Sequence, residues 1–273
     1  MDDKFARLSL NQRTIKSWSV PEAVAGCVRE GVPGLGLWRE EVAEVGLETA
    51  GRLVRDAGLQ VTSLCRGGFF PVATEEARVA RAADNRAAVD ECVALGTDVL
   101  ILVCGGMVGD LERSREQVAE GIADLAPYAG ERGVRLAIEA LHPMYCADRS
   151  VIVTLAQALD LAERFPSEQV GVVVDTFHQW WDPDVAAQIA RAGAGDRLLG
   201  YQVCDWLDPL PDVLLGRGLP GDGTVDFAAF RGWMEAAGYD GAIEVEIFNA
   251  ELWARDGDDV LRDVCDRFLT HVV

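Results

Sequence analysis

The sequence predicts a (β/α)8 barrel that occupies the whole chain, residues 1–273, as a single domain. Eight short apolar runs alternate with eight helix-like stretches, the rhythm of repeated βα units. The runs leave little room for a solvent-facing side, as expected of parallel strands covered on both faces. At 273 residues the chain also has the length of one such barrel, typically about 250 residues.

Each element follows from local chemistry. Residues 7–10 read as the first strand and 21–30 as the first helix, with Pro21 near its start, where a missing amide costs nothing. Residues 34–38 and 47–57 form the second pair, and the Gly of AGLQV stops that helix. Residues 60–64 precede the long helical stretch 75–95, stopped by the Gly of LGTDV. The run 99–103 (VLILV) precedes 114–132, stopped by the Gly of RGVRL. Strands 135–139, 170–175 and 198–203 precede helices 151–164, 183–192 and 227–237. The last pair is 242–247 and 259–270. No Ser/Gly-rich linker, charge block or short-period repeat interrupts this rhythm, so no domain boundary is expected. The segment 204–225, rich in Pro and Gly, and the segment 249–258 follow the last two strands. Loops there are expected to shape access to a site.

Composition narrows the function classes. A net charge of −20 repels a phosphate backbone and disfavours nucleic-acid binding. No apolar run approaches the ~20 residues of a membrane span. The N-terminal stretch MDDKFARLSL lacks the basic and apolar regions of a signal peptide, so a cytoplasmic location is expected. The seven cysteines are an odd number without a C-x-x-C pair, and they read as buried free thiols.

Four oxygen-bearing residues fall at or near strand ends: Glu139, Asp175, Gln202 and Glu246. In a βα barrel these ends converge on the face that carries the active site. Three carboxylates brought together need a cation or protons to neutralise them. Three carboxylates and one amide oxygen form a hard donor set, suited to one divalent ion, Mn²⁺ or Mg²⁺. The two glutamates would flank the substrate, one removing a proton beside a carbonyl and the other returning one to the neighbouring carbon. Such an arrangement suits isomerisation or epimerisation of a hydroxy-carbonyl compound through an enediolate.

The stretches LAIEALHP, VVVDTFH, YQVCDW, GRGLPGDGTVDF and GAIEVEIFN resemble the xylose isomerase-like barrel family of sugar isomerases and epimerases. The resemblance covers nearly the whole chain. It implies a metal set of Glu139, Asp175, Gln202 and Glu246, with Glu139 and Glu246 as the acid/base pair. It also implies that His178 of DTFH and Arg217 of the R-G-x-P-G-x-G loop contact substrate. Gln202 stands where many sugar epimerases of the family carry His; in using Gln the chain resembles hydroxypyruvate isomerase-like members. An amide oxygen there shifts preference towards Mg²⁺ or Mn²⁺.

Further substrate contacts are expected from Arg66, an anion-binding residue type after the third strand, and from Trp181, an aromatic wall for a sugar-sized pocket. His142 points into the mouth or caps its loop. The expected substrate is a small sugar, keto-polyol or hydroxy-keto acid. A dehydratase resembling inosose or dehydroshikimate dehydratases uses the same base and metal and is the alternative. An abasic-site endonuclease needs more His and a basic groove, and a non-catalytic barrel would not keep the acid/base positions. Barrels of this kind pair through helices or loops, so a homodimer or homotetramer is expected.

Overall fold

The computed structural model describes residues 4–273; the first three residues of the N-terminal stretch discussed above lie outside it. Its strands are β1 (Leu8–Asn11), β2 (Gly34–Trp38), β3 (Gln60–Gly68), β4 (Val99–Val103), β5 (Arg135–Glu139), β6 (Val170–Asp175), β7 (Leu198–Val203), β8 (Asp205–Trp206), β9 (Arg217–Gly218) and β10 (Ile243–Val245). Eight of them close into a parallel barrel in the order β1-β10-β7-β6-β5-β4-β3-β2. Closure is carried by β10 beside β1, with Leu8 opposite Ile243 and Leu10 opposite Val245. The architecture is a single-domain (β/α)8 barrel, and closure leaves the barrel sheet without a free edge.

Side-chain alternation divides the core in two. Leu100 and Leu102 of β4 join the large outer cluster, together with Val172 and Val174 of β6 and most of the buried helix residues. Val99 and Ile101, one residue out of phase, join Trp38, Cys65, Ala137, Val173 and Leu199 in a second, smaller cluster. This is the period-2 pattern of a filled barrel: one face of each strand meets the helices and the other fills the interior.

The helices begin where a side chain can cap them. Thr74 accepts from the Ala77 amide ahead of Glu75–Leu95. Asp110 accepts from the Arg113 amide ahead of Leu111–Gly130. Thr154 does the same ahead of Leu155–Ala162, which is why that helix starts four residues later than its apolar pattern suggests. Gly58 and Gly96, at φ +70° and +81°, end their helices in the left-handed region as expected. Three short helices were not foreseen: Arg39–Val45, Thr176–Gln179 and Ala250–Trp253.

Two strand boundaries differ in ways that matter to the site. β1 runs on to Asn11, and β10 stops at Val245, leaving Glu246 just past the ladder. The segment after β7 is also ordered. β8 and β9 pair antiparallel across it, and the buried Asp205 carboxylate accepts from the backbone amides of Trp206, Gly221, Gly223 and Val225 at 2.8–2.9 Å. All seven cysteines are free, and six of them are buried. Among the described residues no helix is long and apolar enough to cross a membrane.

Candidate active site

A cavity of about 360 Å³ opens at the C-terminal ends of the strands, bordered by Glu139, His178, Arg217 and Glu246 among others. Glu139 ends β5 and Asp175 ends β6. Glu246 follows β10, three strands from β5 in the closed order, so the two glutamates approach from well-separated parts of the wall. All three carboxylates are buried. One ligand atom each of Glu139, Asp175 and His178 lies within 4.8 Å of the others.

Arg217 provides the positive charge that lets these acids coexist. One guanidinium nitrogen lies 3.0 Å from Glu246 Oε2 and 3.4 Å from Asp175 Oδ2. The guanidinium sits between the rings of Phe177 and Phe248, 4.6 and 4.8 Å from their centroids. β9 delivers Arg217, and the Asp205 staple holds that loop over the mouth.

Glu246 has a second donor, Asn11 Nδ2, at 3.0 Å from Oε1. Asn11 Nδ2 also reaches Glu244 at 2.7 Å, and Asn11 Oδ1 accepts from the indole of Trp38 at 2.9 Å. Glu139 by contrast accepts no hydrogen bond among the described residues; its nearest polar contact is His178 Nε2 at 3.7 Å. Burial, followed by the charges of Glu246 and Asp175, raises the Glu139 pKa well above the ordinary carboxylate range. Burial also pushes Glu246 up to about 8, against the opposing pull of Arg217.

His178 is buried and neutral, because burial and then the Arg217 charge disfavour its protonated form. Its Nδ1 lies 3.1 Å from the backbone nitrogen of His142, which can only donate. Its Nε2 faces the Arg217 guanidinium at 3.3 Å and, farther off, Glu139 and Asp175 at 3.7 Å. Both ring nitrogens thus meet donors, the His142 amide and the Arg217 guanidinium, and His178 belongs with Glu139 and Asp175 to a cluster that could hold a metal ion.

Gln202 is placed differently from the other three expected ligands. It pairs with Asp175 of β6 on one side and Glu244 of β10 on the other, and it borders a second cavity of about 470 Å³ on the opposite side of the barrel interior. Its Nε2 donates to Glu244 Oε1 at 3.0 Å. Its Oε1 is buried and has no hydrogen-bond partner. A buried carbonyl oxygen without a donor is costly, and a hard cation beside it would satisfy it. The unpartnered oxygen and the cluster of Glu139, Asp175 and His178 are compatible with a divalent ion.

Glu244 and Asn11 escaped the sequence reading. Glu244 is buried and accepts from Asn11, Gln202, Thr62 and Ser63 at 2.7–3.0 Å. Gly36 makes room for it: a Cβ there would lie 2.6 Å from the Glu244 carboxylate. The signal was the alternation in AIEVE, which puts Glu244 and Glu246 on one face. Of the expected substrate contacts, Arg66 borders the mouth, with its guanidinium 4.4 Å from the Phe69 centroid. His142 and Trp181 do not border it. His142 caps its own loop, accepting from the Met144 amide at 3.3 Å and stacking on Trp206 at 4.9 Å. Trp181 spends its indole N–H on the His178 carbonyl at 2.8 Å. The His142 backbone amide and the Trp181 indole instead hold His178, at its Nδ1 and its carbonyl oxygen.

Comparison with known proteins agrees with this geometry. A crystal structure of a protein from Sinorhizobium meliloti 1021 is 47% identical, with a TM-score of 0.94 over 96% of this chain and 97% of that one. The chain is 28% identical to an L-ribulose 3-epimerase of a Methylomonas species, over 85% of this chain and 79% of the relative. It is 32% identical to a 3-dehydroshikimate dehydratase of Pseudomonas putida over 57% of this chain; that match spans only 24% of the longer relative. Residues 27–264 match the family model described as xylose isomerase-like TIM barrel. With most of its length matched in this way, the chain belongs to the xylose isomerase-like TIM barrel family.

Proposed function

We propose that the protein is a divalent-metal-dependent isomerase or epimerase of a small hydroxy-carbonyl compound, with Glu139 and Glu246 as its acid/base pair. The observation that carries this reading is the placement of two buried glutamates on one cavity, arriving from strands three apart in the barrel. Glu139, Asp175, Glu246 and the unpartnered oxygen of Gln202 would hold the ion. A divalent cation there polarises a carbonyl and balances the charge that develops on its oxygen.

The residues divide the work according to their partners. Glu246 accepts from both Arg217 and Asn11, so its carboxylate is oriented and ready to take the proton beside the carbonyl. Glu139 faces the cavity without a hydrogen-bond donor of its own and is the group that exchanges a proton with the neighbouring carbon. His178 borders the cavity beside Arg217 and contacts a substrate oxygen. Arg217 closes the mouth and keeps the acids compatible. A small-molecule substrate is the only partner this chemistry requires.

The dehydratase is the second reading, supported by the 32% identity to a 3-dehydroshikimate dehydratase. It uses the same first proton transfer, followed by loss of a neighbouring hydroxyl. A screen of ketoses, inososes, hydroxypyruvate and sugar phosphates with Mn²⁺, Mg²⁺ or Zn²⁺ in deuterated water separates the two. Deuterium in a product of unchanged composition supports isomerisation; a product lighter by one water supports dehydration. Turnover that survives exhaustive chelation would remove the metal from the mechanism.

A further inference from the structure

The upper part of the mouth has a character that the carboxylate floor does not predict. Four cationic side chains border it: Arg13 and Lys16 after β1, Arg66 in β3 and Arg149 after β5. They come from three separate βα units of a chain whose net charge is −20, so they run against the overall field of the protein.

Their own partners do little to neutralise them. Lys16 has no carboxylate partner among the described residues. Arg66 has Glu40 at 3.4 Å, an exposed acid that it shares with Arg13 at 3.5 Å. Arg149 has only its sequence neighbour Asp148 at 3.8 Å. Exposed pairs of this kind are weak. Arg13 is better paired, with Glu41 at 3.1 Å, yet its Nε is buried without a hydrogen-bond partner. Aromatic rings hold the heads in place: Trp38 is 4.4 Å from Arg13, Phe69 is 4.4 Å from Arg66, and Trp253 is 4.7 Å from Lys16.

Between rim and floor the wall is apolar or aromatic. Among the described residues no Ser, Thr, Asn or Gln borders this cavity. Hydroxyls along the length of a polyol would lose water between rim and floor and find few partners there. A molecule that is polar at both ends fits better.

We infer that the substrate carries an anionic group, carboxylate or phosphate, held by Arg13, Lys16, Arg66 and Arg149, with its hydroxy-carbonyl end on the glutamate floor. This rests on the reading of that floor given above, and it selects hydroxy-keto acids and phosphorylated hydroxy-carbonyl compounds over neutral sugars.

Calorimetric binding to the Mn²⁺-loaded protein tests it without requiring turnover. The probes are hydroxypyruvate, D-fructose 6-phosphate and neutral D-fructose, against wild type and the variants Lys16→Gln, Arg66→Gln and Arg149→Gln. The expectation is that at least one anionic probe binds about tenfold or more tighter than D-fructose, and that each variant weakens it by about tenfold while D-fructose binding stays unchanged. Which anion responds tells carboxylate from phosphate. D-fructose binding as tightly as both anions, or anion binding that ignores all three substitutions, would overturn the inference. Rim-dependent anion binding without proton exchange in any compound would leave it standing and defeat the isomerase and dehydratase readings instead. Turnover of a neutral ketose by a protein that binds neither anion would do the reverse.

Discussion

The Gln202 amide nitrogen lies 3.0 Å from Glu244 Oε1. A carboxylate only accepts, so this contact decides which end of the amide is which and leaves the oxygen free. On the proposed reading, in which Gln202 would hold the ion, Glu244 would orient that ligand without being one itself. Glu244→Gln puts a group that also donates opposite the Gln202 amide. Metal affinity is expected to fall about 10–100-fold, the usual cost of losing an outer-shell partner. Titration calorimetry with Mn²⁺ measures this; unchanged affinity would mean that Gln202 does not depend on Glu244.

The acid/base pair makes a direct prediction. Glu246→Gln and Glu139→Gln should each lower kcat by about 10²–10⁴-fold, the range for a positioned proton-transfer group. Solvent deuterium exchange into the substrate should fall with it. Wild-type exchange in either variant would take that residue out of the proton path.

Arg217 is expected to matter most when no metal is bound. It is buried against Asp175 and Glu246. Arg217→Met leaves both acids uncompensated, and metal-free stability should drop by about 3–5 kcal/mol. Adding Mn²⁺ should recover part of that loss by restoring positive charge. Urea denaturation with and without chelator gives both values, and equal losses in the two states would contradict the compensating role.

The raised carboxylates fix the sign of a pH effect. Glu246 moves from 4.5 up to about 8 in the fold, and Glu139 moves the same way. Between those values the native protein holds protons that the unfolded chain has released, so stability falls as pH rises. The contribution is complete below about pH 4.5 and is lost by about pH 8. Thermal unfolding of metal-free protein should show a Tm that declines from about pH 5 to about pH 8.5. Because the ion displaces these protons, the Tm gain from Mn²⁺ should grow over the same interval. A gain independent of pH would argue that the glutamates do not bind it.

The loop that carries Arg217 depends on Asp205, whose carboxylate accepts from four backbone amides. Asp205→Ala is expected to make residues 206–224 sensitive to limited proteolysis and to lower kcat/KM. The barrel Tm should change far less than the proteolysis rate. A loop that stays protected would place its stability elsewhere.

Much of this protein was written in local pattern. The eight barrel strands, the long helix Glu75–Leu95 and the position of Glu139 and Asp175 at strand ends follow from apolar runs, caps and glycine stops within about twenty residues of sequence. Such signals are local because backbone hydrogen bonding and side-chain alternation are local. What the sequence left open were contacts across the closed barrel. Asn11 meets Glu246 over a separation of 235 residues, and Gln202 meets Glu244 over 42. His142, read as facing the mouth or capping its loop, and Trp181, expected at the substrate, do not border the cavity; the His142 amide and the Trp181 indole hold His178 instead. Which side chains face one another there depends on strand register and closure, and those are set only when all eight strands pack together.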